Sequence, residues 1–199
     1  MDKTIFLDLA NLFEKYGFSL YIIGGTSRDY LLGRPVDDYD FVTDATPDEM
    51  KEFLENADYT FSKFGTIRLS FYGRKVDIVT LRTEGEYADY RHPKTIKYIR
   101  RIEEDYVRRD FTINALYIDK KFNVFDFCGG LQDLKNGIIR LIGDPEKRIR
   151  EDPLRILRAE RFAKKLGFVI DEQTLKAIKN NRHLLKELNP DKVREEQNK

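Results

Sequence analysis

Ile5, Leu9, Leu12 and Phe13 recur at the three- and four-residue spacing of a helix that buries one stripe, and the apolar run 20–23 after Gly17 has the length of a strand. Gly24 and Gly25 interrupt that run, residues 27–32 suit a short helix, and Gly33 is placed to stop it in a left-handed conformation. The segment DYDFVT, residues 38–43, reads as a second strand. In TPDEMKEFLE, Thr46 is an N-cap, Pro47 fits the first helical position and Glu49 completes a capping box, so a helix starts there. Three strand-like pieces follow, DYTFSKF, TIRLSFY and KVDIVTL, the last two joined through Gly73 as a hairpin. Residues 83–93 are polar and turn-rich and read as a flexible loop. The recurring aromatics Phe61, Phe64, Phe71, Phe122, Phe125 and Phe127 read as core.

Residues 103–115 are helical in part, ALYID and FNVFDF form a strand pair, and Gly129 and Gly130 close that module. From Asp144 onward the pattern is nearly strand-free. Pro145 starts a helix, Pro153 starts or kinks another, and Ala159, Phe162, Ala163 and Leu166 keep helical spacing. A further helix is expected over 172–188, and Pro190 opens one more. The expected fold class is therefore α+β: a mixed-sheet domain over residues 1–142, then an all-helical domain over 143–199. The closing DKVREEQNK has the character of a helix opening, which suggests part of a longer chain.

Composition narrows the function classes. A chain of 199 residues with 41% hydrophobic content can bury a core. No stretch approaches the roughly 20 apolar residues of a membrane span, and the N-terminus lacks a basic start followed by a long apolar segment, so a cytoplasmic protein without a membrane partner is expected. Cys128 is the single cysteine, which excludes an internal disulfide framework. With His92 and His183 the only imidazoles, any metal must sit on oxygen ligands. The net charge of +1 conceals segregation: carboxylates mark 37–48, whereas 91–101 and 147–165 are rich in arginine and lysine. That pattern suits a metal and a polyanion, and equally a solvated charged surface. Nothing in the sequence speaks to oligomeric state.

Candidate chemistry begins at Asp38 and Asp40. Residues two apart on a strand share a face, so these carboxylates converge and repel unless a cation lies between them. Carboxylate and phosphate oxygens are the ligands Mg²⁺ prefers. Asp77, in KVDIVTL, can approach from a neighbouring strand, and three carboxylates on one sheet face suit metal-assisted phosphoryl transfer. Taken alone, the pair also fits a solvated acidic strand end. Gly24 and Gly25 follow a strand and precede a helix, so backbone N–H groups there can cradle a phosphate, with Arg28 one turn later to pair with it. By themselves they also fit a tight turn beside an exposed arginine. The succession GG, RD, LLGR and DxD is more specific than any of its parts.

GGTSRDYLLGRPVDDYDFVTDATP resembles the signature of the class II nucleotidyltransferases, the family of bacterial tRNA CCA-adding enzymes and bacterial poly(A) polymerases. VDIVTLR, EYADYRHP, RRDFTINALYID with FDFCGGLQDL, and EDPLRILRAERFAKKLGF agree in order, so the resemblance runs over residues 21–168. It implies a polymerase beta-like nucleotidyltransferase head followed by a helical neck. By resemblance Asp38 and Asp40 hold Mg²⁺ ions, and Asp77 takes the third-carboxylate position, where relatives usually carry glutamate. Gly25, Arg28 and Arg109 match triphosphate contacts, while Asp110 and Asn114 orient the sheet and the sugar. EDPLRILRAER matches the family's amino-acid template for the incoming base: Asp152 and Arg155 offer an acceptor and a forked donor to the Watson–Crick edge of cytosine or adenine. Arg158 and Arg161 continue that row as nucleotide contacts. Without the family, the row also fits a solvated face with ion pairs to Glu151 and Glu160. EYADYRHP matches a flexible loop that helps relatives switch from C to A addition, with Tyr87, Tyr90 and Arg91 placed to stack on a base or to pack. The resemblance thus implies addition of CMP and AMP, from CTP and ATP, to the 3′ end of tRNA. Poly(A) synthesis, CC-only or A-only addition, and an inactive nucleotide- or RNA-binding fragment are the alternatives.

Overall fold

The computed structural model describes residues 1–85 and 95–198; EYADYRHP, with Tyr87, Tyr90 and Arg91, lies outside them. The chain runs α1 (Lys3–Lys15), β1 (Leu20–Ile22), α2 (Gly24–Leu31), β2 (Tyr39–Thr43), α3 (Pro47–Lys51), β3 (Thr66–Phe71) and β4 (Arg74–Thr80). It continues through β5 (Arg82–Glu84), β6 (Ile96–Tyr98), α4 (Ile102–Asp105), β7 (Leu116–Ile118), β8 (Val124–Asp126), α5 (Gly130–Asn136) and β9 (Ile138–Ile139). The remainder is α6 (Pro145–Glu151), α7 (Leu154–Leu166), β10 (Val169–Ile170), α8 (Glu172–Asn181) and α9 (Pro190–Gln197). Two compact units result, one of residues 1–83, 96–106 and 114–127, the other of 84–95, 107–113 and 128–199. Among the described residues no helix is long and apolar enough to cross a membrane.

The first unit is built on a six-stranded sheet of order β3-β4-β2-β1-β7-β8, in which β2 and β4 run parallel and the other pairs antiparallel. Alternation along the strands divides its two faces. Ile22, Tyr39, Phe41, Ile67, Val76, Ile78 and Ile118 join Ile5, Phe6, Leu9 and Phe13 of α1 in the main core. Val42 and Tyr117 belong to a smaller cluster with Ile23, Leu81 and Ile102. Asp40 and Asp77 alternate with main-core residues and so share the second face with Val42. The β3–β4 hairpin turns through Tyr72 and Gly73, both at positive φ (50° and 71°), which suits a two-residue turn of the primed type.

The capping box at α3 forms as expected. The Thr46 amide donates to Glu49 Oε2 at 2.7 Å and the Glu49 amide to Thr46 Oγ1 at 3.3 Å. Arg100 grips the same carboxylate through both terminal nitrogens, at 3.0 and 2.8 Å. Those bonds outweigh the cost of burial and lower the Glu49 pKa to about 2 from an ordinary 4.5. A lowered carboxylate pKa contributes stability above the ordinary value and loses it as pH falls through the folded one. Glu49→Gln is therefore expected to cost about 1 kcal/mol, or about 2–4 °C in Tm, at pH 7, the side chain being partly solvated. Paired thermal melts should show the difference shrinking between pH 4.5 and 2.

In the second unit Phe111 meets Phe162 of α7 edge to face at 5.6 Å, and β9 and β10 form a short parallel pair. Among the described residues the two-residue β10 is the one strand after Asp144, in keeping with the nearly strand-free reading. DYTFSKF is not a strand: the Asp58 carboxylate accepts both the amide (2.9 Å) and the hydroxyl (2.6 Å) of Thr60, which turns the chain, and residues 62–64 form a 3-10 turn. Gly129, at φ 79°, is the N-cap of α5, just after the last segment of the first unit. The helix expected over 172–188 ends at Asn181, whose side-chain amide donates back to the Ala177 carbonyl at 2.9 Å, and a 3-10 stretch follows. Of the aromatics read as core, Phe71 and Phe122 pack against it while Phe61, Phe125 and Phe127 are exposed.

Candidate functional site

Asp38 and Asp40 are positioned by the first turn of α2. That helix starts at Gly24 itself, three residues earlier than the pattern indicates, because φ of +68° at Gly24 lets the chain turn directly out of β1. The Ile23 amide donates to the Asp40 carbonyl at 3.1 Å, tying the end of β1 to β2. Thr26, 2% exposed, then bridges the two aspartates through the backbone. Its hydroxyl donates to the Asp38 carbonyl at 3.0 Å and accepts from the Asp40 amide at 2.8 Å. The Asp40 carboxylate lies over the glycine pair, so a Cβ on Gly24 would meet Asp40 Oδ2 at 3.3 Å and one on Gly25 would meet it at 3.8 Å. The bend at Asp38 places it just before the strand, where it is exposed, while Asp40 is half-buried within it.

Asp77 sits opposite Asp40 in the parallel β2–β4 register, so the expected neighbourhood of carboxylates is present. Its oxygens, however, face Arg68 across the β3–β4 pair, with Nε to Oδ1 at 2.6 Å and Nη2 to Oδ2 at 3.1 Å. Among the described residues no three carboxylate, thiol or imidazole groups gather in a metal-holding cluster. Arg28 is 3% exposed: Nε and Nη2 fork onto Asp29 at 2.9 and 2.8 Å, and Nη1 donates to Asn114 Oδ1 at 2.9 Å.

The other candidates all belong to the second unit. Arg148 of α6 donates to the carbonyls of Arg108 (2.8 Å) and Arg109 (2.9 Å), fixing the start of RRDFT. Asp152 lies between α6 and α7, its Oδ1 accepting the Leu154 amide at 3.1 Å. Arg155 is buried and bonds the Arg148 carbonyl and Glu151. Arg158 pairs with Asp110, and Arg161 holds Glu196 of α9 at 2.9 Å through Nε and 2.7 Å through Nη2. The row is thus neither a free set of donors nor the solvated face with Glu160, which pairs with Arg182 instead. Burial pushes the Asp110 carboxyl up, but the charges of Arg158 and Arg155 and the Phe111 amide outweigh it and hold the carboxyl below its usual value.

Residues 20–140 match the family described as "Poly A polymerase head domain". The chain belongs to that head-domain family. Residues 167–199 match a second family, described as "Probable RNA and SrmB- binding site of polymerase A". The CCA-adding enzyme of Lactobacillus helveticus is 45% identical over 183 residues, which are 92% of this chain and 46% of that protein. The crystal structure of the Bacillus stearothermophilus CCA-adding enzyme in complex with CTP superposes with a TM-score of 0.90 at 34% identity, covering 98% of this chain and 48% of that one. A tRNA nucleotidyltransferase complexed with a primer tRNA and an incoming ATP analog gives a TM-score of 0.76 at 34% identity, over 94% of this chain and 54% of that one. The chain spans about half the length of the curated relatives it matches.

Within the head-domain match, Thr26 is a residue beside the candidate aspartates that sequence reading missed. A small hydroxyl in the turn after a strand looks like an ordinary cap or turn residue, and only the β1–β2 pairing reveals its reach. Thr26→Val keeps the shape and removes both bonds. It should destabilise by about 1–3 kcal/mol, because the Asp40 amide loses its acceptor. Any chemistry that depends on the placement of Asp38 and Asp40 should fall about tenfold or more from loss of positioning. Thermal melts and steady-state kinetics on the same preparation check both halves.

Proposed function

We propose that this chain carries the nucleotide-transferring part of a cytoplasmic, template-independent tRNA nucleotidyltransferase, adding CMP and AMP from CTP and ATP to the 3′ end of tRNA. The observation that carries the reading is the Thr26 bridge, which presents Asp38 and Asp40 together beside the N-terminal turn of α2. Two carboxylates beside a helix N-terminus fit a divalent ion whose remaining ligands are phosphate and water oxygens. Mg²⁺ held by Asp38 and Asp40 would neutralise the triphosphate and lower the pKa of the attacking hydroxyl.

The protein's own groups place the substrate. The α2 amides at Gly25 and beyond offer donors to a phosphate, close-approached because Gly25 has no side chain. Asp152 and Arg155 are the residues proposed for the base edge, and Arg28, Arg109, Arg158 and Arg161 for contacts to the nucleotide, which they would make only by exchanging partners they hold in this structure. In the transfer the RNA 3′-oxygen bonds to the α-phosphorus, the bond to the bridging oxygen breaks, and pyrophosphate leaves. The similar CCA-adding enzymes, among them one in complex with CTP, and the tRNA nucleotidyltransferase complexed with a primer tRNA and an ATP analog support this choice of substrates.

The test is to incubate the protein with tRNA lacking its terminal CCA, Mg²⁺ and each labelled nucleotide in turn. Incorporation of C followed by A supports the reading. Long A tails would make the protein a poly(A) polymerase, and nucleotide binding without incorporation would leave only a binding fragment.

A further inference from the structure

Three successive strands of the sheet set out a row of charges. Arg68 and Asp77 are paired positions across β3–β4, and Asp77 and Asp40 across β4–β2, so guanidinium, carboxylate and carboxylate follow one another on the same face. The Arg68 fork takes both oxygens of Asp77, at 2.6 and 3.1 Å. The fork is itself held in place. Arg68 exchanges backbone hydrogen bonds with Asp58, at 2.6 and 3.0 Å, and its guanidinium lies 5.9 Å from the centre of the Phe61 ring.

A carboxylate gripped at both oxygens by a planar cation binds a metal only by giving that cation up. Without Arg68, Asp77 and Asp40 would be like charges on adjacent strands, an arrangement that a divalent ion relieves and so binds tightly. We propose that Arg68 is a positioning residue that withholds Asp77 from the metal shell, leaving the ions to Asp38, Asp40 and the substrate's oxygens and keeping metal affinity low until a nucleotide arrives. This rests on the metal reading of Asp38 and Asp40.

The experiment is titration with Mn²⁺ in the absence of nucleotide, followed by electron paramagnetic resonance of the free ion, on the whole chain and four variants. Arg68→Met should bind Mn²⁺ about tenfold more tightly, while Asp77→Asn alone should stay within about twofold of the parent. Asp77→Asn added to Arg68→Met should remove the gain, a coupling that general loosening of the sheet would not produce. The Arg68 side chain is 42% exposed, so its loss is compatible with folding, which circular dichroism verifies. Tenfold weakening by Asp77→Asn alone, or no gain from Arg68→Met, would overturn the proposal. Asp40→Asn should weaken binding in the parent; unchanged binding there would sink the metal reading and the proposal with it.

Discussion

Asp40→Ala should lower nucleotide transfer at least about a thousandfold, about 4 kcal/mol of transition-state stabilisation, while moving Tm by no more than about 2–4 °C. The two effects separate because different parts of the residue carry them. The bonds that fix the Asp40 backbone, from the Ile23 amide and to the Thr26 hydroxyl, do not involve its carboxylate and survive truncation. Tyr39 and Phe41 on either side keep the strand buried. What disappears is one of two carboxylates on which the proposed ion depends, and its neighbour Asp77 is committed to Arg68. Single-turnover incorporation of labelled CTP, beside a thermal melt, measures both quantities. Activity within tenfold of the parent would place the metal site elsewhere. Thr26→Val makes a useful contrast, since it keeps both carboxylates and disturbs only their presentation.

The parts of this site that were legible in the sequence are those that depend on local periodicity. The period-2 pattern of DYDFVT and KVDIVTL places Asp40 and Asp77 off the main core, and the glycine pair marks the strand-to-helix turn, because both are properties of a few consecutive residues. Arg68 was not legible as the partner of Asp77: cross-strand register is set by the hairpin and the core, and no pattern within β3 states which residue faces which. The arginine row shows the same division. Helical spacing puts Arg155, Arg158 and Arg161 in order along α7, but the partners of the last two, Asp110 and Glu196, come from distant segments. Short elements failed for a related reason. β9 and β10 are two residues each, and their pairing, rather than any propensity of their own, makes them strands.

Arg158 is where the family-implied role and the observed packing make opposing demands. Arg158→Met is expected to destabilise the protein by about 2–3 kcal/mol at pH 7, below the 3–5 kcal/mol of a fully buried broken pair because the arginine side chain is 37% exposed. The cost arises on the other side of the pair. Asp110 is only 12% exposed, and with Arg158 gone its charge is buried with less compensation. Its folded pKa lies below the ordinary 3.8, so the pair stabilises above that pH and ceases to do so as pH falls through the lowered value. The penalty should therefore persist from pH 7 down to about 3.8 and shrink below it, as the parent's own pair is lost. Adding Asp110→Asn to Arg158→Met should restore most of the loss at pH 7, since no charge is left stranded. Melts of the single and double variants, with nucleotide affinity measured on each, separate the two roles. A variant whose Tm is unchanged while nucleotide binding weakens would assign Arg158 to the phosphates; a lowered Tm rescued by Asp110→Asn assigns it to holding RRDFT against α7.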